Sequence, residues 1–453
     1  MTSPGYVDPA QLWLLYQRAV PEMFRSASEK TQPVPARRGI YSMAIVTWLM
    51  IYQRLNSKRT LSAAVQWLAR NFEAFLPYND CKRLREGSVS TNTGGYCQGR
   101  QKLPKLVAVA AMDTLFDQLQ QQMRKVMPDL PRPVFVADGS TLRTPAGAEL
   151  ARRFPPGSNQ HGENHWPTML VVVLHDAYTG LAARPAWGPK YGTDAVSEQQ
   201  LARQALDRLP ADAVVMADGN FGIFAFAYAV TQTNRPLLFR LTVSRGGKVL
   251  NGEPLRPGRR RKTVWQPSRW DRKQHPELPE SCSIHGWVVA CLNPCRPDEV
   301  LYFFTTLDLK PARILALYKL RWNIETDLRS LKRTVGLHEL TGRTPDMVEK
   351  ELLLAVSAYN LVRATIYRAA RRAGLNPRDY SFSAAQDAVM AAWNDLSAAA
   401  GEGDRQRELD RLLDAVEQTR LPKRVRKRSY PRQVWGRGGQ FPSRKPETHP
   451  ESH

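Results

Sequence analysis

Two short stretches share one form. Residues 133–138 read PVFVAD and residues 213–218 read AVVMAD, and each runs into a glycine, giving Asp138-Gly139 and Asp218-Gly219. An acid at the end of a buried apolar strand is held rigidly and still reaches solvent. Asp-Gly is also the commonest turn pair, so one copy alone reads as a turn. Two copies about one core weaken that reading without removing it. A third acid, Glu325, stands within LYKLRWNIETDLRSLKRTVGL, which starts at Leu317. At 100° per residue, Leu317, Leu320, Ile324, Leu328, Leu331 and Val335 form an apolar stripe. Tyr318, Arg321, Glu325 and Lys332 form a second stripe about a quarter turn away. Taken alone, this is an amphipathic helix with a Glu325–Arg329 pair on its wet side.

Taken together, the three acids suggest more. Carboxylates converging on one rim repel one another and raise each other's pKa values, and a cation relieves that repulsion. Hard oxygen ligands suit Mg²⁺ or Mn²⁺. Two such ions ~3.5–4 Å apart activate a water or a 3′-hydroxyl and stabilise the leaving oxygen in phosphodiester displacement. Asp138, Asp218 and Glu325 are therefore the candidate catalytic residues and the candidate ligands of two divalent ions. Asp176, Asp194 and Glu198 are further acids that could reach the same rim, although Asp176 sits in a turn sequence.

The elements around these acids read as mixed α/β. The run TMLVVVLH (168–175) has strand length, a turn cluster follows at 176–180, and 181–187 can return as the second strand of a hairpin. Residues 197–209 are helix-periodic and precede the strand at 213–217. Strand, hairpin, helix and strand build an α/β core. Between 236 and 310, strand-like pieces alternate with Pro- and Arg-rich loops, which reads as a β-rich insertion. Helices return from Pro311 to about residue 419, and Thr344-Pro345 is an N-cap and first-turn pair opening a helix that runs to Arg372. Residues 1–130 read as helical, with helices over 61–75 and 105–127 and a loop-like, basic stretch, SVSTNTGGYCQGRQKLP, between them. The expected divisions are a helical region (1–130), read either as a plain helical domain with basic connectors or as a DNA-binding one, the first part of the core (131–235), the insertion (236–310), the helix carrying Glu325 (311–342), a C-terminal helical region (343–419) and a basic tail (420–453).

Composition narrows the partners. The chain has 453 residues, with 65 Lys plus Arg against 42 Asp plus Glu, a net charge of +23, which points to a polyanion. Apolar residues at 42% are enough to bury sizeable cores and exclude global disorder. Five scattered cysteines are too few for a disulfide framework. No apolar run reaches the ~18 residues of a membrane span, and the first residues, MTSPGYVDPAQLW, show no secretory pattern. A reducing cytoplasm and no membrane partner are expected. In the tail, residues 420–445 hold ten Lys and Arg and no acid. Lys423, Arg424, Arg426, Lys427 and Arg428 are candidate nucleic-acid contacts that order on an anionic partner.

The spacing Tyr-x2-Arg-x3-Glu-x6-Lys, met by Tyr318, Arg321, Glu325 and Lys332, is the signature of the insertion-sequence-four family of bacterial DDE transposases, which this sequence resembles. ADGSTLRTP around Asp138 and ADGNFGIFAF around Asp218 are similar to that family's two Asp blocks, and the 107-residue gap from Asp218 to Glu325 is similar to its insertion. The resemblance implies an RNase H-like catalytic core with a β-rich insertion and helical flanks. It also implies Mg²⁺-dependent cleavage at terminal inverted repeats and strand transfer by a dimer on double-stranded DNA, in a nucleoid-associated cytoplasmic setting. It gives the metal-holding role to Asp138, Asp218 and Glu325 and DNA-end contacts to Tyr318, Arg321 and Lys332. A flipped base, as stacked by some relatives, would find Trp265 or Trp270 here, flanked by Arg259, Arg260 and Arg261. One departure is that Asp218-Gly-Asn-Phe stands where many members have Asp-Arg-Gly-Phe, so an arginine contact is lost there, with Arg240 and Arg245 as candidates to replace it. The competing readings are a domesticated, inactive DNA-binding protein and an RNase H-like junction nuclease.

Overall fold

The computed structural model describes residues 39–56, 58–73, 81–126, 132–159, 162–398 and 402–422. The basic tail contacts expected at Lys423, Arg424, Arg426, Lys427 and Arg428 lie outside the described residues, as do residues 1–38.

Eight strands form one sheet: β1 (Val134–Arg143), β2 (Thr168–Asp176), β3 (Ala186–Pro189), β4 (Val214–Ala217), β5 (Leu237–Leu241), β6 (Arg260–Trp265), β7 (Ile284–Asn293) and β8 (Arg296–Thr305). Their order is β3-β2-β1-β4-β5-β8-β7-β6. β1 runs antiparallel to β2 and parallel to β4, and β4 is parallel to β5. The first five strands, in the order 3-2-1-4-5 with these directions, make an RNase H-like core. The parallel strands read as continuous apolar runs because they are covered on both faces: VVMA of β4 is buried throughout.

The stretch read as a β-rich insertion pairs with the core sheet. Its first strand-like piece, β5, is the fifth strand of the core sheet, and β8 pairs antiparallel with it through Tyr302↔Leu241 to Thr305↔Leu238. The sheet thus continues from core into insertion without an edge, since an unpaired β5 would expose a row of backbone groups.

The helices outside the sheet form one bundle from both ends of the sequence. A helix over Pro345–Arg372, opened by Thr344 accepting from Met347 N at 3.3 Å, is buried along most of its length. It packs against helices Met43–Leu55 and Lys105–Val126 from the N-terminal half and against Phe382–Ala398 and Glu402–Glu417 from the C-terminal end. Glu351 on this long helix is paired with Arg54 at 2.9 Å and Arg100 at 2.5 Å, all three buried. Part of the expected loop at 88–104 is a helix, Gly94–Lys102. Its glycines are there for close approach: a Cβ on Gly95 would strike the Tyr41 ring and one on Gly99 would strike Val46. No helix among the described residues is long and apolar enough to cross a membrane.

Candidate active site

Asp138 and Asp218 are brought side by side by strand register. Val136 pairs with Met216 in the parallel ladder, and each acid lies two residues further on, at the point where β4 ends. Neighbouring strands stand about 4.8 Å apart. Asp138 is not at a strand end as the sequence suggested. β1 continues to Arg143 because its antiparallel partner β2 extends that far, pairing Asp138 with Val173 and Arg143 with Thr168. Both acids are half-buried.

Each acid is fixed by backbone donors. Gly139 N donates to Asp138 Oδ1 at 2.8 Å. Asn220 N and Phe221 N donate to Asp218 Oδ1 at 2.9 and 3.4 Å. The turn after Asp218 is anchored by the buried Phe221 ring against Phe226. Gly222 is needed there, since a Cβ would overlap the Arg240 carbonyl oxygen. Arg245 Nη1 donates to the carbonyls of Gly219 and Gly222 at 3.2 and 2.7 Å, so Arg245 is the arginine that grips this turn. Arg240 is paired with Glu299 at 3.0 Å. Burial is the main force pushing the Asp138 carboxyl up to about 6. Asp218 and Glu198 add to the rise, while the Gly139 N–H and Arg321 oppose it.

Glu198 opens the helix Glu198–Ala205, whose Ser197 forms a capping box with Gln200. It lies over the backbone of Gly139, and Asn220 Nδ2 donates to its Oε2 at 2.7 Å. The sequence named Glu198 as one rim acid among several. The signal that could have singled it out is the Ser197-x-x-Gln200 cap, which places residue 198 in the first turn of the helix leading to β4.

The helix carrying the signature is broken. Pro311–Lys319 and Trp322–Arg329 are separate segments, and Ser330–Thr334 adds a π-helical turn. Ile324, Leu328, Leu331 and Val335 are buried as the periodicity predicts. Tyr318 departs from the wet stripe. It is buried and its ring packs on Phe303 at 4.7 Å, with the Arg321 guanidinium 5.6 Å from its centroid. Arg321 acts electrostatically on Asp138, and Lys332 Nζ donates to Ser140 Oγ at 2.8 Å, two residues beyond that acid. Glu325 lies between these two anchored residues, one turn beyond Arg321, with its side chain exposed.

The donor chemistry fits a divalent cation: carboxylate oxygens on adjacent strands whose mutual repulsion only positive charge relieves. As the side chains stand, no three of His, Cys, Asp and Glu converge to enclose an ion among the described residues. Asp138 and Asp218 each commit one oxygen to backbone N–H groups.

The remaining candidates are spread along the insertion. The Trp265 ring is buried, edge-on to Phe224 and Phe304 at 5.7 and 4.9 Å, which is a core position. Trp270 is 58% exposed and lines a cleft of about 720 Å³ with Arg245, Lys248, Thr263 and an edge of Trp265. Arg260 is paired with Asp308 and lies 4.1 Å above the Trp287 ring, and Arg261 is paired with Glu253, while Arg259 is exposed.

Residues 129–361, just over half of the chain, match the family model described as a transposase DDE domain, a span that holds Asp138, Asp218 and Glu325. The transposase InsG for insertion sequence element IS4 of Escherichia coli (strain K12) is 26% identical over 314 residues, 68% of each chain. The cryo-EM structure of the piggyBac transposase synaptic complex with hairpin DNA aligns over 93% of this chain and 87% of its own at 10% identity, with a TM-score of 0.41. By the extent of the family match, the chain belongs to the transposase DDE domain family.

Proposed function

We propose that this chain binds the terminal inverted repeats of an insertion sequence, cleaves the DNA at its ends with divalent ions held by Asp138, Asp218 and Glu325, and joins the freed 3′-hydroxyl to target DNA. The observation that carries this reading is the register that aligns Asp138 on β1 with Asp218 at the end of β4, with the signature segment tied to β1 by the Lys332–Ser140 hydrogen bond. Bound Mg²⁺ or Mn²⁺ supplies Lewis-acid activation of the attacking oxygen and stabilises the leaving one. The chain's own part is to orient and to neutralise. Backbone N–H groups hold one oxygen of each Asp so that the other is free to ligate. Arg321 and Lys332 bring positive charge to the rim where a scissile phosphate would lie. Tyr318 supports Arg321 from beneath through its ring face.

The net charge of +23 supports binding along a phosphate backbone. The cleft beside Trp270, with Arg245 and Lys248 on its wall, is suited to an unstacked base near the cleaved end. Chemistry in a synaptic complex of two copies follows from the family resemblance.

Cleavage of end-containing DNA in Mg²⁺ tests the reading, comparing wild type with Glu325→Gln. The variant is expected to lose two to three orders of magnitude in cleavage rate, roughly the loss seen when one electrostatic transition-state contact is removed, while binding the DNA as wild type does. Equal cleavage by both would remove Glu325 from the chemistry. Cleavage by wild type without any strand transfer would favour a nuclease.

A further inference from the structure

The segment that carries Glu325 ends irregularly. Ser330–Thr334 is a π-helical turn, and Lys332 stands inside it. A π turn holds more residues than an α turn, so it re-aims the side chains within and beyond it relative to Glu325. Such turns are rare and short, and the contacts around this one decide how it is held. Its last carbonyls have no partner within the helix. Two of them are met from the N-terminal helical region. Arg59 Nη2 donates to Thr334 O at 2.7 Å and to Arg333 O at 3.3 Å, and the same guanidinium is paired with Glu339. Positive charge at a helix C-terminus is also favoured by the helix dipole.

The backbone on both sides is shaped to this contact. Arg59 has φ +50°, a left-handed conformation unfavourable to any residue with a Cβ. Gly336, just past the π turn, has φ +80°, and a Cβ there would overlap the Arg59 guanidinium. The Arg59 carbonyl accepts from Gln53 Nε2 at 2.8 Å, and Gln53 Oε1 accepts from the buried Tyr96 hydroxyl at 2.9 Å. Arg54, paired with Glu351, donates to Gly336 O at 3.2 Å. Backbone strain of this kind persists where the surroundings over-determine it, and it clusters at functional sites.

We propose that Arg59 is a positioning residue for DNA cleavage: by capping the π turn it sets Lys332 against Ser140, two residues from Asp138. This rests on the reading of Lys332 as positive charge at the scissile phosphate. Arg59 itself stays off the DNA. Its side chain is 17% exposed and is committed to two backbone carbonyls and Glu339. The N-terminal helical region thereby acts on the rim through one guanidinium.

Single-turnover cleavage of end-containing DNA in Mg²⁺ at saturating protein, with DNA affinity measured in parallel, tests this in a cycle of Arg59→Ala, Lys332→Ala and the double variant. Each single change is expected to slow cleavage about 10- to 100-fold, and Arg59→Ala is expected to bind the DNA as wild type does. The double variant is expected to be no slower than Lys332→Ala, because with the ammonium gone there is nothing left to position. A merely structural role would make the two losses multiply. Multiplied losses, wild-type cleavage by Arg59→Ala, or weaker DNA binding with an unchanged rate at saturation would each overturn the proposal and leave Lys332 its place. Wild-type cleavage by Lys332→Ala would bring down that reading and the proposal with it. Thermal unfolding checks that Arg59→Ala folds. Should it not, Arg59→Lys, which keeps the charge and loses the planar fork, carries the same cycle with the same outcomes.

Discussion

Asp138 shows how the site is stabilised and strained by one carboxylate. Its neutral form is favoured in the fold chiefly by burial, then by Asp218 and Glu198 nearby, and its pKa rises from 3.8 to about 6. A folded-state pKa above the unfolded one means the native state binds the extra proton. The stability this confers is complete below about 3.8 and is lost as pH rises through about 6. At neutral pH the metal-free protein therefore carries a penalty that Asp138→Asn removes. The variant should be more stable than wild type in EDTA at neutral pH, by on the order of 1 kcal/mol once solvent screening of a half-buried group is allowed for. The gap should close on acidification below about pH 4. Thermal unfolding across that range checks it, and a wild type as stable as the variant at neutral pH would contradict it. In the proposed function, this penalty is what a bound cation would relieve.

Among the elements, the signature helix is held by a buried charge cluster that its spacing does not disclose. Asp327 is buried, and its Oδ1 accepts from Arg363 Nη2 on the long helix at 2.7 Å and from Arg378 Nη1 at 2.5 Å. Burial alone would raise the Asp327 pKa, but Arg378 and Arg363 hold it below the usual carboxylate range. Arg378 also donates to the carbonyl of Ala177 at the end of β2, as does Asn323 at 3.1 Å. The helix is thus pinned near the end of β2 as well as at the Lys332–Ser140 contact on β1. Removing the carboxylate from such a cluster leaves one buried and one half-buried guanidinium without it. Asp327→Ala should cost about 3–5 kcal/mol, read as a lowered urea midpoint, and a change within error would show the cluster to be dispensable. In the sequence this Asp reads as one more polar residue on an amphipathic helix. Its partners lie 36 and 51 positions away, and no local pattern encodes them.

At the scale of the molecule, what was legible depended on whether the cause was local. The strand that ends at Asp218, the Thr344-Pro345 helix start and the apolar stripe from Ile324 to Val335 are short-range signals that the structure carries, whereas Asp138 lies within its strand because the partner strand extends further. The break after Lys319 was hidden because both segments keep the same apolar face. The helix at Gly94–Lys102 was hidden because glycines that permit close packing look like loop residues. Fusion of the insertion to the core was hidden because it rests on pairing between β5 and β8, about sixty residues apart. Assembly of the chain's N- and C-terminal helices around Pro345–Arg372 was hidden for the same reason. These long-range contacts set the frame in which three acids from distant segments could share one pocket. Anomalous diffraction from the full chain bound to its terminal-repeat DNA in Mn²⁺ measures that sharing directly. The account predicts two Mn²⁺ peaks ~3.5–4 Å apart, with oxygens of Asp138, Asp218 and Glu325 within about 2.2 Å of them. Peaks away from the Asp138–Asp218 rim, or a Glu325 carboxylate that stays out of reach with the DNA end in place, would contradict it.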